Sequence, residues 1–168
     1  MDHLWAPWRL AYAAIQKEPA PADDKPEGCF ICRGMAATAD RENLIVHRTP
    51  LSVVVLNRFP YNNGHLLVCP QAHKARLDEL SPAELLDLQL TLRRMLGILE
   101  RRMNPDGFNV GLNLGKVAGA GVPGHLHWHI VPRWSGDTNF MPVLSDTKVI
   151  VQSLDSLYDL LRRELEAG

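Results

Sequence analysis

At 168 residues, the chain has the length of one domain with a single hydrophobic core. Its 18 Lys and Arg residues against 19 Asp and Glu residues give a formal net charge of -1, and no window holds the run of like charges expected of a nucleic-acid-binding tail or a membrane-surface segment. No window reaches the roughly 20 apolar residues of a membrane-spanning helix, the N-terminus lacks the pattern of a secretory signal, and three cysteines, an odd number, argue against a disulfide framework. We therefore expect a cytoplasmic protein that binds neither nucleic acid nor membranes.

The N-terminal segment divides into an aromatic arm and a connector. The arm contains Trp5 and Trp8, which either stack on a ligand base or pack the arm onto the core. The connector, KEPAPADDKPEG from Lys17 to Gly28, is rich in proline and charge and disfavours helix and strand. We expect one domain over residues 1–168, divided into an arm and connector (1–28), a core (29–145) and a C-terminal helical region (146–168).

The remaining segments alternate between strand and helix patterns. The runs LIVHRT, LSVVVLNRF and HLLVCP, separated by TP and PYNNG, predict a meander of short antiparallel strands. The capping box Ser81-Pro82-Ala83-Glu84 predicts the start of a helix that continues to about Met103. FNVGLNLG and HLHWHIVPRW predict two more strands, and SLDSLYDLLRRELEA predicts a final amphipathic helix. This order favours an α+β fold, with an antiparallel sheet of about five strands, a long helix and a C-terminal helix.

Three histidines alternate along the last predicted strand. Because the side chains of a strand alternate between faces, His125, His127 and His129 share one face, and the apolar residues between them face the core. Neighbouring histidines then lie about 6.6–6.8 Å apart. The row allows one metal ion held by a histidine pair, or imidazoles with different tasks around one substrate. A half-exposed strand face without function is the competing interpretation.

An imidazole is suited to attack phosphorus, because its unperturbed pKa of about 6.5 leaves much of it neutral near physiological pH. A covalent nucleotidyl-histidine divides one difficult displacement into two easier steps when donors hold the developing charge. The preceding loop, GKVAGAGVPG, offers backbone N–H donors around Gly119 and Gly121 and a positive charge on Lys116. A flexible loop without a ligand is the alternative.

Cys29 and Cys32 have the C-x-x-C spacing, for which a redox couple, half of a zinc site and coincidence compete. A redox pair is expected at the start of a helix in a βαβ unit, whereas this pair follows a proline-rich connector, so zinc is favoured. Tetrahedral zinc needs two further ligands from elsewhere in the chain, and His73 and His125 are candidates. Cys69 lies in an apolar strand pattern and is expected in the core.

These motifs together resemble the histidine triad (HIT) family of nucleotidyl hydrolases and transferases. HLHWHIV matches the signature H-φ-H-φ-H-φ-φ, in which φ is an apolar residue. LNRFPYNNGHLLVCPQAH and NVGLNLG resemble two further family segments. LWAPWRLAY and PRWSGDTNFMPV look most like the diadenosine tetraphosphate phosphorylase branch. The resemblance extends roughly from Trp5 to Val143.

The resemblance implies roles for individual residues. His127 would be the nucleophile that takes the nucleotidyl group, His129 would orient or protonate phosphate oxygens, and His65 would contribute from the adjacent strand. Asn57 would bind ribose, and Asn113 would meet the substrate near the scissile phosphate. The implied substrate is a dinucleoside polyphosphate such as diadenosine tetraphosphate, cleaved with phosphate or water as the acceptor.

Zinc-containing relatives imply that Cys29, Cys32, His73 and His125 bind a structural zinc ion, which would position the strand without taking part in the chemistry. No organic cofactor is expected, and the family implies a homodimer. Two features depart from the family pattern. Many members carry Gln or Ser before the triad where this chain has Ala120-Gly121, and some close relatives lack the cysteine pair.

Three other functions stay open at this point. A nucleoside phosphoramidase would share the triad and differ in the leaving group. A cupin-type metalloenzyme would use His127 and His129 as ligands of a catalytic metal, and a zinc-stabilised binding module would bind a nucleotide without turnover.

Overall fold

The computed structural model of the chain describes residues 26–138, 140 and 150–167. The predicted aromatic arm with Trp5 and Trp8, most of the connector and residues 141–149 lie outside the described residues. Among those described, no helix is long and apolar enough to cross a bilayer.

The described residues form one antiparallel sheet and three helices, which confirms the predicted α+β fold. The sheet has five strands in the order β1-β2-β3-β5-β4, and each neighbouring pair is antiparallel. The strands are β1 (Ile45–Arg48), β2 (Ser52–Leu56), β3 (Leu66–Pro70), β4 (Gly107–Leu112) and β5 (Trp128–Arg133). The helices are α1 (Phe30–Ala36), α2 (Pro82–Met103) and α3 (Leu154–Ala167).

The capping box starts α2 where the sequence predicts it. The Ser81 hydroxyl accepts a hydrogen bond from the Glu84 amide at 3.3 Å, and the Glu84 carboxylate accepts one from the Ser81 amide at 2.7 Å. Lys74 also donates to this carboxylate, at 2.7 and 2.8 Å. The Lys74 carbonyl accepts a hydrogen bond from the Leu126 backbone amide at 2.7 Å. The ion pair thus connects α2 to two segments that carry predicted histidines, since His73 precedes Lys74 and His125 precedes Leu126.

The two faces of the sheet pack against different helices. One face packs against α2 and α3 and forms the larger core, which includes Leu126, Trp128 and Ile130. The other face contributes Val53, Val55, Leu67 and Cys69 to a smaller cluster with Cys29 and Ile31. The predicted burial of Cys69 is confirmed. The short helix α1 thus covers the face opposite to the long helices.

The structure differs from the sequence prediction in two places. The last strand begins at Trp128 and not at the first histidine, because the Leu126 amide donates to Lys74 and not to a neighbouring strand. His125 and His127 therefore precede the strand, although the apolar residues between the histidines still face the core. Helix α1 was not predicted: Cys29 is its N-cap residue, so the cysteine pair does open a helix, but in an antiparallel sheet and not in a βαβ unit.

The Glu84 carboxylate predicts a pH-dependent stability. Its hydrogen bonds from Lys74 and Ser81 lower its pKa from 4.5 to about 2, so its stabilising effect is complete above pH 4.5 and is lost as the pH falls toward 2. We expect Glu84→Gln to lower the free energy of unfolding by about 1 kcal/mol near neutral pH, and the difference from the wild type to shrink below pH 4.5. Urea unfolding at several pH values measures this difference. The control Glu100→Gln, an exposed position on the same helix, should show no such trend.

Candidate active site and metal centre

A cavity of about 720 Å³ lies on the sheet face that α1 covers. Its volume is in the range typical of small-molecule sites. The apolar side chains of its wall are Phe30, Leu44, Val55, Leu56, Phe59, Leu67 and Val122. The polar part includes Arg33, Asn43, Asn57, Arg58, Tyr61, His127 and His129. The wall thus combines an apolar surface with imidazoles and two arginines.

The tautomer of His127 follows from one hydrogen bond. Its Nδ1 lies 2.8 Å from the backbone carbonyl oxygen of His125. A carbonyl only accepts, so Nδ1 carries the proton and donates it. The neutral ring therefore has its lone pair on Nε2, which has no hydrogen-bond partner among the described residues. Because His127 lines the cavity, this nitrogen is the candidate nucleophile.

The tautomers of His65 and His129 follow in the same way. The Tyr61 amide donates to His65 Nδ1 at 3.0 Å, so the His65 proton is on Nε2. His65 Nε2 lies 2.8 Å from His129 Nδ1 and donates to it. The proton of His129 is consequently on its own Nε2, which is buried and has no partner among the described residues. The relay Tyr61–His65–His129 thus ends in an unpaired N–H donor.

The three rings of this relay and His127 form a compact cluster. The rings of His127 and His129 have centroids 5.1 Å apart, and Tyr61 stacks on His129 with an interplanar angle of 19°. Burial lowers the pKa of His129 to about 4, with a smaller contribution from the charge of His127. His129 is therefore neutral near physiological pH and acts as a hydrogen-bond donor without a positive charge.

Asn57 lines the cavity, and its amide orientation is fixed. Its Oδ1 accepts the Phe59 amide at 2.9 Å, and its Nδ2 donates to His65 Nδ1 at 3.2 Å. The second hydrogen of Nδ2 and the second lone pair of Oδ1 are the groups that a ligand hydroxyl can still use. Asn57 thus supports the His65 tautomer in addition to its predicted ribose contact.

The structure brings only part of the predicted phosphate-binding loop to the cavity. Gly121 is part of the wall, whereas Asn113, Lys116 and Gly119 are not. The side-chain Nδ2 of Asn113 donates to the Gly119 carbonyl at 3.4 Å. Gly119 adopts a positive φ of 93° at the end of a 3₁₀ turn over Lys116–Ala118. Asn113 therefore contacts the loop itself, and the substrate contacts predicted for these three residues stay predictions.

The second predicted cluster consists of Cys29, Cys32, His73 and His125. Their ligand atoms all lie within 4.8 Å of one another, and they are the group of His, Cys, Asp and Glu residues that could hold a metal ion in the described part of the chain. The Sγ to Nδ1 distances are 3.2 Å for Cys32 and His73, and 3.4 Å from each cysteine to His125. A tetrahedral zinc site with ordinary bond lengths has S to N separations of about 3.6 Å. The donor set and its spacing fit a tetrahedral metal.

The protonation states of the cluster also fit a metal. His125 Nε2 donates to the Pro70 carbonyl at 2.9 Å, so the lone pair is on Nδ1, which faces the cysteines. Burial lowers the pKa of His125 to about 4, which keeps this ligand neutral. Burial and the neighbouring Cys29 raise the pKa of the Cys32 thiol to about 11. A reactive redox thiol has a low pKa, so the raised pKa of Cys32 argues against a redox couple, and as a metal ligand Cys32 would give up its proton on binding.

The fold and the histidine row define a histidine triad protein. A family model for the HIT domain matches residues 38–136, which is more than half of the chain. The chain therefore belongs to the HIT family, and the predicted membership is confirmed. The matched residues include β1–β5 and α2, whereas α1 with the cysteine pair lies outside them.

Relatives with described activities match over different shares of the chain. The AP-4-A phosphorylase of Mycobacterium tuberculosis is 37% identical over 98% of this chain and 84% of its own length. The asymmetrical bis(5'-nucleosyl)-tetraphosphatase of Schizosaccharomyces pombe is 39% identical over 55% of this chain and 50% of its own length. A zinc-bound histidine triad family protein from Mycobacterium smegmatis superposes with a TM-score of 0.66 at 24% identity, covering 85% of this chain and 96% of that one. This last likeness concerns the fold alone.

Several residues of the cavity wall were not predicted from the sequence, among them Phe30, Arg33 and Tyr61. Phe30 and Arg33 are three positions apart and each directly follows a cysteine, and a helix prediction at the C-x-x-C pair would have placed them side by side on one helix face. Tyr61 lies in the turn before β3, where no periodic pattern indicates the direction of a side chain.

The hydrogen-bond network predicts the tautomers of three histidines. We expect His127 to carry its proton on Nδ1, and His65 and His129 to carry theirs on Nε2, in the neutral protein. Long-range ¹H–¹⁵N NMR spectra of the imidazoles distinguish the two tautomers. His47 is half-buried on β1 and lies outside this network, so its tautomer is not predicted and it serves as the control. A proton on His127 Nε2 would contradict the proposed nucleophile.

Proposed function

We propose that the protein cleaves a dinucleoside polyphosphate such as diadenosine tetraphosphate. His127 Nε2 attacks the α-phosphorus and forms a phosphorus–nitrogen bond, while the bond from this phosphorus to the bridging oxygen breaks. ATP leaves, and the adenylyl group stays on His127. Inorganic phosphate or water then displaces the histidine and gives ADP or AMP. The activities of the two relatives, an AP-4-A phosphorylase and a bis(5'-nucleosyl)-tetraphosphatase, support this class of substrate.

The observation that carries the proposal is the arrangement of two nitrogens. His127 presents an unprotonated Nε2 toward the cavity because its proton is on Nδ1, which donates a hydrogen bond to the His125 carbonyl. His129 supplies a buried N–H donor without a protein partner among the described residues. A phosphate oxygen is the natural acceptor for such a donor, and this contact would stabilise the charge that develops during attack. His129 would therefore orient phosphate oxygens while remaining neutral.

The remaining polar groups support binding of the nucleotide. The apolar part of the wall suits a base, Asn57 retains capacity to hydrogen-bond a ribose hydroxyl, and the Gly121 region offers backbone donors. Neither Ala120 nor Gly121 has a side chain that donates, so backbone N–H groups would contact the leaving group. A phosphoramidase would use the same groups, and product analysis separates the two activities.

The cupin-type alternative is not supported by the described residues. His129 Nδ1 already accepts from His65 and its Nε2 carries the proton, so this ring has no lone pair left for a metal. Only the Cys29, Cys32, His73 and His125 group has metal-ligand spacing within residues 26–138, 140 and 150–167.

We propose that this group binds zinc. Two thiolates and two neutral imidazoles form an ordinary structural zinc set, and the Pro70 carbonyl fixes the ligand nitrogen of His125. The ion would hold α1 and the start of the histidine row together. His125 would pass this constraint to the nucleophile, because its own carbonyl accepts the hydrogen bond from His127 Nδ1.

We further propose a cytoplasmic homodimer, as the family resemblance implies. β4 pairs only with β5 among the described strands, so its outer edge is available to extend the sheet.

The activity is tested with diadenosine tetraphosphate in the presence and absence of inorganic phosphate. ADP formed only with phosphate indicates phosphorolysis, and AMP indicates hydrolysis. We expect His127→Ala to lower turnover by roughly three orders of magnitude or more while the metal content is unchanged. His47→Ala, a histidine outside the cavity wall, is the matched control. Wild-type binding without turnover would instead support the binding module.

The metal proposal predicts different outcomes for the replacement of Cys32, a proposed ligand, and of Cys69, a buried thiol outside the ligand group. Cys32→Ala should lose zinc and lower the free energy of unfolding by about 2–3 kcal/mol or more, because the metal binds only the folded chain. Cys69→Ala removes a thiol that lies in the smaller apolar core but is outside the metal-ligand group, and this variant should retain stoichiometric zinc. Elemental analysis and urea unfolding measure both effects. Equal zinc content in the two variants would contradict the ligand assignment.

A further inference from the structure

Helix α1 belongs to the metal centre and to the cavity at the same time. Cys29 and Cys32 contribute to the metal-ligand group. Phe30 and Arg33, the residues that directly follow each of them, line the cavity. Ile31 is 2% exposed and attaches the helix to the sheet. The ligands of one site are thus covalently adjacent to the wall of the other.

Phe30 and Arg33 have the chemistry to contact a nucleotide. The Phe30 side chain is 44% exposed at the cavity and offers a ring face for a base. Arg33 is exposed and makes no side-chain hydrogen bond or ion pair within the described part of the chain. By contrast, Arg58, the other arginine of the wall, donates to the Glu42 carbonyl at 3.3 Å. Arg33 therefore has all its donors available for the acceptor atoms of a nucleotide.

The position of these two side chains depends on how α1 is anchored. The helix has only seven residues, and a helix of this length has little stability on its own. Arg48 of β1 holds its C-terminal half by donating to the carbonyls of Met35 and Gly34, at 3.2 and 3.5 Å. Its N-cap residue, Cys29, makes no side-chain capping hydrogen bond. The first turn, which carries Phe30 and leads to Arg33, is anchored by the buried side chain of Ile31 and by the two metal-ligand cysteines.

We propose that Phe30 and Arg33 are nucleotide-contacting residues that the metal centre positions, so that metal and nucleotide bind with positive coupling. This inference rests on the proposed function. A nucleotide that contacts α1 holds the cysteine-bearing end in place and slows the loss of the metal. Because linkage is reciprocal, the metal raises the affinity for the nucleotide by the factor by which the nucleotide raises the affinity for the metal.

The test measures the release of zinc from the intact zinc-loaded protein to an excess of a chromogenic chelator, with and without saturating AMP. We expect AMP to slow release by about fivefold or more, because a typical coupling factor in affinity acts on the release rate when the rate of metal binding is unchanged. In the double variant Phe30→Ala/Arg33→Met, which changes only exposed side chains, this protection should fall to less than about twofold at saturating AMP. The zinc content before release should equal that of the wild type.

The control is Arg93→Met, an exposed arginine on α2 outside the cavity wall, which should keep the full protection and reports any direct effect of AMP on the chelator. Calorimetry measures AMP binding separately. If AMP binds the wild type without slowing zinc release, the inference is overturned but the proposed function is not. Full protection in the double variant has the same consequence. Absence of AMP binding overturns both, and a chain without zinc overturns the inference together with the metal proposal.

Discussion

The hydrogen bond from His127 Nδ1 to the His125 carbonyl, 2.8 Å long, determines what the site can do. An imidazole has one lone pair when neutral, and this bond places it on the nitrogen opposite to the carbonyl. Without the bond, the ring would exchange between tautomers, and the nitrogen at the cavity would carry a proton part of the time. A backbone carbonyl is a durable partner for this purpose, because no side-chain substitution removes it.

The carbonyl is itself held from two sides. The His125 side chain lies among the metal-ligand group and donates to the Pro70 carbonyl at the end of β3. The next residue, Leu126, donates to Lys74, whose ammonium pairs with Glu84 at the start of α2. The segment before β5 departs from the sheet ladder, so these contacts replace the ladder hydrogen bonds that would otherwise fix it. The metal-ligand group, the ion pair and the proposed nucleophile therefore form one connected unit.

Much of the architecture could be predicted from local patterns. The capping box fixed the start of α2 at Pro82, and alternation predicted that Leu126, Trp128 and Ile130 face the core. These features depend on neighbours a few residues away, which the sequence displays directly. The start of β5 and the existence of α1 could not be predicted in this way. Each depends on contacts between residues far apart in the chain, such as Leu126 with Lys74 and Arg48 with Met35.

The sequence by itself determined the chemical groups of the site: three alternating histidines, a cysteine pair and the family to which they belong. Only the tertiary structure decided which nitrogen of each ring carries the proton. His129 takes its partner, His65, from another segment, and the contact of His127 with the His125 carbonyl forms where Leu126 leaves the sheet ladder to donate to Lys74. The same holds for Arg33. Its place in the cavity wall follows from packing of α1 against the sheet, which no periodicity in a seven-residue helix could reveal.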